Sequence, residues 1–132
     1  MRKVTLEQFK EILPNICAQE TSADPEKWTK ENPLWGHCAI VALLAQSIFG
    51  GIILRASLTH IPELAYLRSH YWNAWTSGGA IDFTASQFGE HYPAGLRYEL
   101  RSRDYLLSNA DTANRYAILV GRFAEVLAKR NC

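Results

Sequence analysis

No stretch of this chain is apolar for long enough to cross a bilayer. The longest unbroken apolar run, Cys38 to Ala45, falls far short of the ~20 residues that a membrane-spanning helix needs. Charge of one sign is equally scarce. Lys and Arg number 14 against 13 Asp and Glu, a formal net charge of +1, and both signs are scattered along the sequence. Without a basic stripe, nucleic acid drops out of the expected partners. Cysteine is sparse too. Cys17, Cys38 and Cys132 sit at spacings that match neither a disulfide framework nor a zinc-ligand pattern, so free thiols in a reducing compartment are expected. Met1-Arg2-Lys3 leads straight into Thr5-Leu6-Glu7-Gln8 with no apolar signal-peptide core. The expectation is a cytoplasmic protein with no cofactor, no metal and no membrane partner. No motif specifies an oligomeric state.

What is present suits one domain spanning 1–132. At 132 residues, 48% hydrophobic and 20% charged, the chain is large enough to bury a core without a disulfide or metal. Thr5-x-x-Gln8 has the form of a capping box, and Leu6, Phe9, Ile12 and Leu13 follow on one helical face. Pro14 is expected to bend or end that helix. Asp24-Pro25-Glu26 reads as a second helix start, with a stop by Asn32-Pro33. Cys38 to Phe49 reads as a helix apolar nearly all round, hence buried on most sides, and stopped by Gly50-Gly51. Beyond it the period shortens. Ile52 to Leu54 reads as a buried strand. His70 to Trp75 and Ala80 to Phe83 read as a hairpin joined by Thr76-Ser77-Gly78-Gly79. Tyr98 to Arg101 reads as a further strand, and a last helix starts at Asp111 or Thr112 with Tyr116, Leu119, Val120, Phe123, Val126 and Leu127 on its apolar face. Helices, then strands, then a helix argue α+β: N-terminal helices packed on a small antiparallel sheet, with a C-terminal helix.

Cys38 occupies the first turn of the most buried helix. Unpaired N–H groups there stabilise a thiolate, the nucleophilic form, and offer donors for the oxyanion of a tetrahedral intermediate. Gly36 leaves room for a group to approach the backbone beside the thiol. Cys17, among apolar neighbours, reads instead as a small core hydrophobe, and Cys132 as an incidental last residue. His70 begins an aromatic strand and shares a face with Trp72 and Ala74. If the hairpin loop has an odd number of residues, Asp82 falls on that same face, opposite Trp72 or Ala74, and reaches His70 diagonally. A carboxylate there would orient the imidazole. Asn32, six positions before Cys38, is an amide candidate for the oxyanion, although Asn-Pro favours a plain turn. Asn73 and Gln87 are further amide candidates. Trp35 and Trp72 are candidates for substrate walls, while at least two of the four Trp are expected in the core. His37 is disfavoured as a cationic partner by its place at a helix N-terminus. His60 and His91 read as loop residues.

Helix-start cysteine, strand histidine and an aspartate on the next strand resemble transglutaminase-like and arylamine-acetyltransferase-like members of the papain-like superfold. The set Asn32-Pro33-x-x-Gly36-His37-Cys38-Ala39, Gly50-Gly51, His70-Tyr71-Trp72-Asn73, Ile81-Asp82-Phe83-Thr84-x-x-Gln87-Phe88 and Arg115-Tyr116 resembles the YunG-like family of small bacterial proteins. That likeness runs from about Trp28 to Leu127. His70 and Asp82 are closer in sequence than is usual in transglutaminase-like proteins. The resemblance implies a papain-like fold with Cys38, His70 and Asp82 at its site.

Two functions follow as expectations. One is a thiol hydrolase or acyltransferase acting on an amide or thioester of a small molecule or peptide, with Cys38 as nucleophile, His70 as proton shuttle and Asp82 as its orienting carboxylate. The other is a non-catalytic domain that uses the same cleft to bind a peptide or small ligand. Zinc held by His37, Cys38, His70 and Asp82 is a weaker third, since adjacent ligands at a helix start rarely converge on one ion.

Overall fold

The computed structural model describes residues 4–130. The readings made of residues 1–3 and of Cys132 lie outside them. Helix α1 (Leu6–Ile16) opens with both halves of the capping box: Gln8 N–H donates to Thr5 Oγ1 at 3.1 Å and Thr5 N–H to Gln8 Oε1 at 3.0 Å. The helix runs through Pro14 rather than ending there. Proline costs it one hydrogen bond, but Leu13 and Ile16 on either side are both buried and hold the last turn against the core.

Helix α2 (Cys38–Phe49) is the centre of the molecule, with six consecutive buried residues from Ile40 to Ala45. One side packs into a cluster with Phe9, Ile12 and Leu13 of α1, and with Leu119 and Phe123 of the C-terminal helix. The other side places Ala42 and Leu43 against Ile53 and Leu106. A helix with two packed faces needs the all-round apolar pattern seen in the sequence.

Four strands follow: β1 (Ile52–Ser57), β2 (Ser69–Ala74), β3 (Ala80–Ile81) and β4 (Tyr98–Arg101). They form one antiparallel sheet in the order β3-β2-β1-β4. The short helix α3 (Arg103–Leu107) and the long helix α4 (Ala110–Arg130) complete the chain. This is an α+β fold of helices on a small four-stranded sheet. Among the described residues no helix is long and apolar enough to cross a membrane.

Two local expectations are corrected, and one helix was not expected. Residues 25–27 form a turn, not a helix. The Asp24 carboxylate that would have capped it instead accepts hydrogen bonds from Trp35 Nε1 at 2.9 Å and Tyr66 Oη at 2.7 Å. The third strand keeps only Ala80 and Ile81, because Asp82 turns its carboxylate back on the backbone N–H of Thr84 and leaves the ladder. Helix α3, which the apolar pattern does not announce, starts at Ser102, whose Oγ accepts from Tyr105 N–H.

Candidate functional site

Cys38 is the first residue of α2, and its N-cap residue, His37, makes no capping hydrogen bond. The His37 ring is turned inward instead. Nδ1–H donates to the Trp35 carbonyl at 2.9 Å, and Nε2 pairs with the Thr21 hydroxyl at 2.7 Å. The first-turn N–H groups of α2 are therefore left without a side-chain acceptor at the end where partial positive charge collects. Gly36, at φ +76°, admits a close approach, but by the chain itself: a Cβ there would lie 2.2 Å from Ser22 Oγ and 2.9 Å from Ala23 N. The expectation that this space serves an incoming group is corrected.

His70 is fully buried. Its Nε2 donates to Asp82 Oδ2 at 2.5 Å. The hairpin explains this contact. Asn73 pairs with Ile81 and Ala74 with Ala80, while Trp75 N–H donates to Gly79 O, so Asp82 leaves the ladder just past the last pair, on the side of the strand that His70 occupies. The carboxylate then reaches diagonally along the strand to the histidine. Aromatic rings hold the imidazole in place. Trp72 stacks at 5.7 Å between centroids, and Phe88 and Tyr92 meet it edge-on at 5.0 and 6.1 Å.

The pKa of His70 is raised to about 9. Burial alone pushes it down, but the hydrogen bond to Asp82, and then the Cys38 thiol beside the ring, more than reverse that. For Asp82 burial pushes up, and bonds from His70, Tyr92 and Thr84 outweigh it, so its pKa is lowered. The second ring nitrogen of His70, Nδ1, is buried and closes no hydrogen bond. The ring is thus anchored through Nε2, with Cys38 at hand and Nδ1 uncommitted.

Behind this pair runs a directional chain of hydrogen bonds. Gly36 N–H donates to Gln87 Oε1 at 3.1 Å, Gln87 Nε2 to Thr84 Oγ1 at 2.9 Å, and Thr84 Oγ1 to Asp82 Oδ1 at 3.2 Å. It fixes the Gln87 amide orientation and ties the loop before Cys38 to the loop that carries Asp82. Tyr92 Oη adds a bond to Asp82 Oδ2 at 2.7 Å.

Cys38, His70 and Gln87 line one cavity of about 570 Å³. The other candidates divide. Asn32 sits in a turn, as its sequence favours, and donates to the Gln87 carbonyl at 2.9 Å. Asn73 lies on the opposite strand face from His70 and donates to Ala42 O of α2 at 2.9 Å, so it is corrected to a core residue. Trp35 is corrected as well: it lines a separate cavity with His60, His91 and Tyr92, not the one holding Cys38. Trp72 touches the ring of His70 rather than the Cys38 cavity. None of the four Trp is fully buried, which corrects the expectation of at least two in the core; the indoles of Trp28 and Trp35 spend their N–H groups on the Pro33 carbonyl and the Asp24 carboxylate. Cys17 is core, with burial pushing its thiol up to about 12. His37, held by two hydrogen bonds, does not join Cys38 and His70, and among the described residues no three His, Cys, Asp or Glu side chains gather as metal ligands. This removes the zinc arrangement.

Two residues at the site escape the motif pattern. Tyr92 had no signal beyond its place in a loop. Arg55 had one, a lone charge inside the apolar strand Ile52–Ser57, and it lines the cavity together with Arg68 and Arg115.

No solved structure matches this chain. A curated relative, "Uncharacterized protein YunG" of Bacillus subtilis (strain 168), is 35% identical over 83 residues, 63% of this chain and 63% of the relative. The chain thus spans a little under two-thirds of that relative's length. The family model described as YunG protein matches residues 5–128, nearly the whole chain. The chain belongs to the YunG protein family.

Proposed function

We propose that the protein is a cysteine-dependent hydrolase or acyltransferase acting on an amide or thioester through a papain-like Cys38–His70–Asp82 arrangement. The observation that carries this reading is the buried His70, anchored by Nε2 on Asp82 at 2.5 Å with Nδ1 left free in the company of Cys38. A purely structural buried histidine is expected to satisfy both ring nitrogens. His37, one residue from the thiol, does so.

In the reaction the Cys38 proton passes to His70, and Sγ forms a bond to the substrate carbonyl carbon as the carbonyl electron pair moves onto oxygen. N–H groups of the uncapped first turn of α2 stabilise that oxyanion. On collapse the bond to the leaving amine or thiol breaks, and the His70 proton goes to the leaving group. Water or another acceptor then attacks the thioester, giving its proton to His70, and the S–C bond breaks to regenerate Cys38. Asp82 stays ionised throughout and supports the imidazolium.

Alkylation by iodoacetamide with peptide mass spectrometry tests the reading without a substrate. Cys38 is expected to label faster than Cys17 and Cys132 near pH 6. His70→Ala should slow Cys38 by about a hundredfold while leaving Cys132 unchanged. Equal labelling of Cys38 and Cys132, indifferent to the His70 variant, would instead favour the non-catalytic binding domain.

A further inference from the structure

Seven residues that line the Cys38 cavity carry titratable side chains: Cys38, Arg55, Arg68, His70, Tyr71, Tyr105 and Arg115. Three are arginines, and among the described residues that line it there is no Asp or Glu. In a chain with 14 basic and 13 acidic side chains, that is a local imbalance. The arginines are not equivalent. Arg115 is buried and structural, its Nε on Asp111 at 2.9 Å and one terminal nitrogen on the Thr21 carbonyl at 3.0 Å. Arg55 faces Glu99 across the sheet at 3.3 Å, yet its Nε is buried with no partner. Arg68 is exposed, and its guanidinium makes no hydrogen bond or ion pair with any described residue.

Arg68 is singular for a second reason. Its φ is +69°, the only positive value outside glycine among the described residues. It closes the short 3-10 helix Ala65–Leu67, and its carbonyl accepts from Leu58 N–H at 2.9 Å, so the turn needs that backbone shape. Glycine meets such a shape without strain, whereas an arginine there carries strain together with its side chain. The backbone outlier and the unpaired cation coincide immediately before Ser69 and His70.

We propose that the substrate of Cys38 is an anionic acyl compound whose carboxylate docks on Arg68, with Arg55 beside it. The charge count selects a carboxylate over a phosphate. Arg55 and Arg101 share Glu99, Asp111 offsets Arg115, a Cys38–His70 pair is neutral overall and Asp82 adds one negative charge, so with Arg68 four guanidinium groups face three carboxylates and one positive charge is left for one negative charge. The guanidinium fork suits that group in shape as well as sign. The inference rests on the proposed function in calling the ligand a substrate; the charge of the cavity is independent of it.

Two alkylating agents separate the two ideas: iodoacetate, which is itself a carboxylate, and neutral iodoacetamide. The readout is the iodoacetate-to-iodoacetamide rate ratio at Cys38, divided by the same ratio for glutathione. Thiol reactivity cancels in that quotient and the charge of the surroundings remains. A quotient of about ten is expected. It should fall several-fold in Arg68→Gln, and in the unaltered protein as sodium chloride is raised. The salt series decides the matter if the variant fails to fold. A quotient of one or less, or one that neither salt nor the variant lowers, overturns the proposal. Slow labelling by both reagents with a high quotient would sink the nucleophile and leave the anion site standing.

Discussion

Two histidines flank Cys38, His37 beside it in sequence and His70 beside it in space, and both are fully buried. Burial depresses the basicity of each. Yet the pKa of His37 is pushed down to about 4 and that of His70 is raised to about 9. His37 meets a carbonyl and a hydroxyl, with the Arg115 guanidinium nearby, so nothing supports a positive ring. His70 meets a carboxylate and a thiol. Charge partners, not depth, separate a histidine that holds a loop together from one able to carry a proton.

The comparison is open to attack through stability, where the expected effect is largest. His37 has a folded pKa below its ordinary 6.5, so its contribution is complete above that pH and is lost as pH falls toward 4. The loss is on the order of 3 kcal/mol. His70 works in the opposite sense: its contribution is complete below 6.5 and is lost as pH rises through about 9. Urea midpoints across pH should therefore decline on both limbs. His37→Gln should flatten the acid limb and His70→Gln the alkaline limb. An acid limb that survives His37→Gln would place the titration elsewhere and break the contrast.

Asp82→Asn removes the charge from the carboxylate and keeps its shape. Oδ1 still accepts from Thr84, so the loop is expected to stay folded. His70 should then titrate below its present midpoint, as His37 does, and iodoacetamide labelling of Cys38 at pH 6 should slow by about tenfold. Proton NMR of the His70 ring follows the first and peptide mass spectrometry the second. Unchanged labelling with a shifted ring titration would show that Cys38 does not depend on the imidazolium.

Much of this was legible in the sequence wherever the signal was local. The capping box at Thr5, the all-round apolar helix from Cys38 and the strand Tyr98–Arg101 lie where pattern and period put them. The hairpin was legible but its register was not: Thr76-Ser77-Gly78-Gly79 leaves the parity open, and the bond from Trp75 N–H to Gly79 O settles it, whereas strand alternation alone puts Asn73 on the face opposite His70, against Ala42. What failed was tertiary. Asp24 looks like a helix cap until Trp35 and Tyr66 claim its carboxylate. That Gln87 lines the Cys38 cavity and Asn32 does not depends on residues 85–88 packing against Gly36, which no local pattern announces. The positive φ of Arg68 has no sequence signature, since the shape comes from the turn and the residue type argues against it.

The smallest effect is expected at Tyr92, and it sharpens the contrast most finely. Its hydroxyl donates to Asp82 Oδ2, the same oxygen that holds His70, and its ring packs edge-on against both His70 and Phe88. Tyr92→Phe keeps the ring contacts and deletes only the hydroxyl. Tyr92 is 44% exposed, so water can replace part of the lost bond. With one donor fewer, more of the carboxylate charge is left for the imidazole, and the His70 titration should move up rather than down. Cys38 labelling at pH 6 should change by less than about threefold, the scale of one ordinary hydrogen bond. A drop as large as that of Asp82→Asn would mean that the hydroxyl positions the carboxylate and that charge alone does not set His70 apart from His37. A rise or no change would leave the Asp82 charge as the feature that distinguishes them.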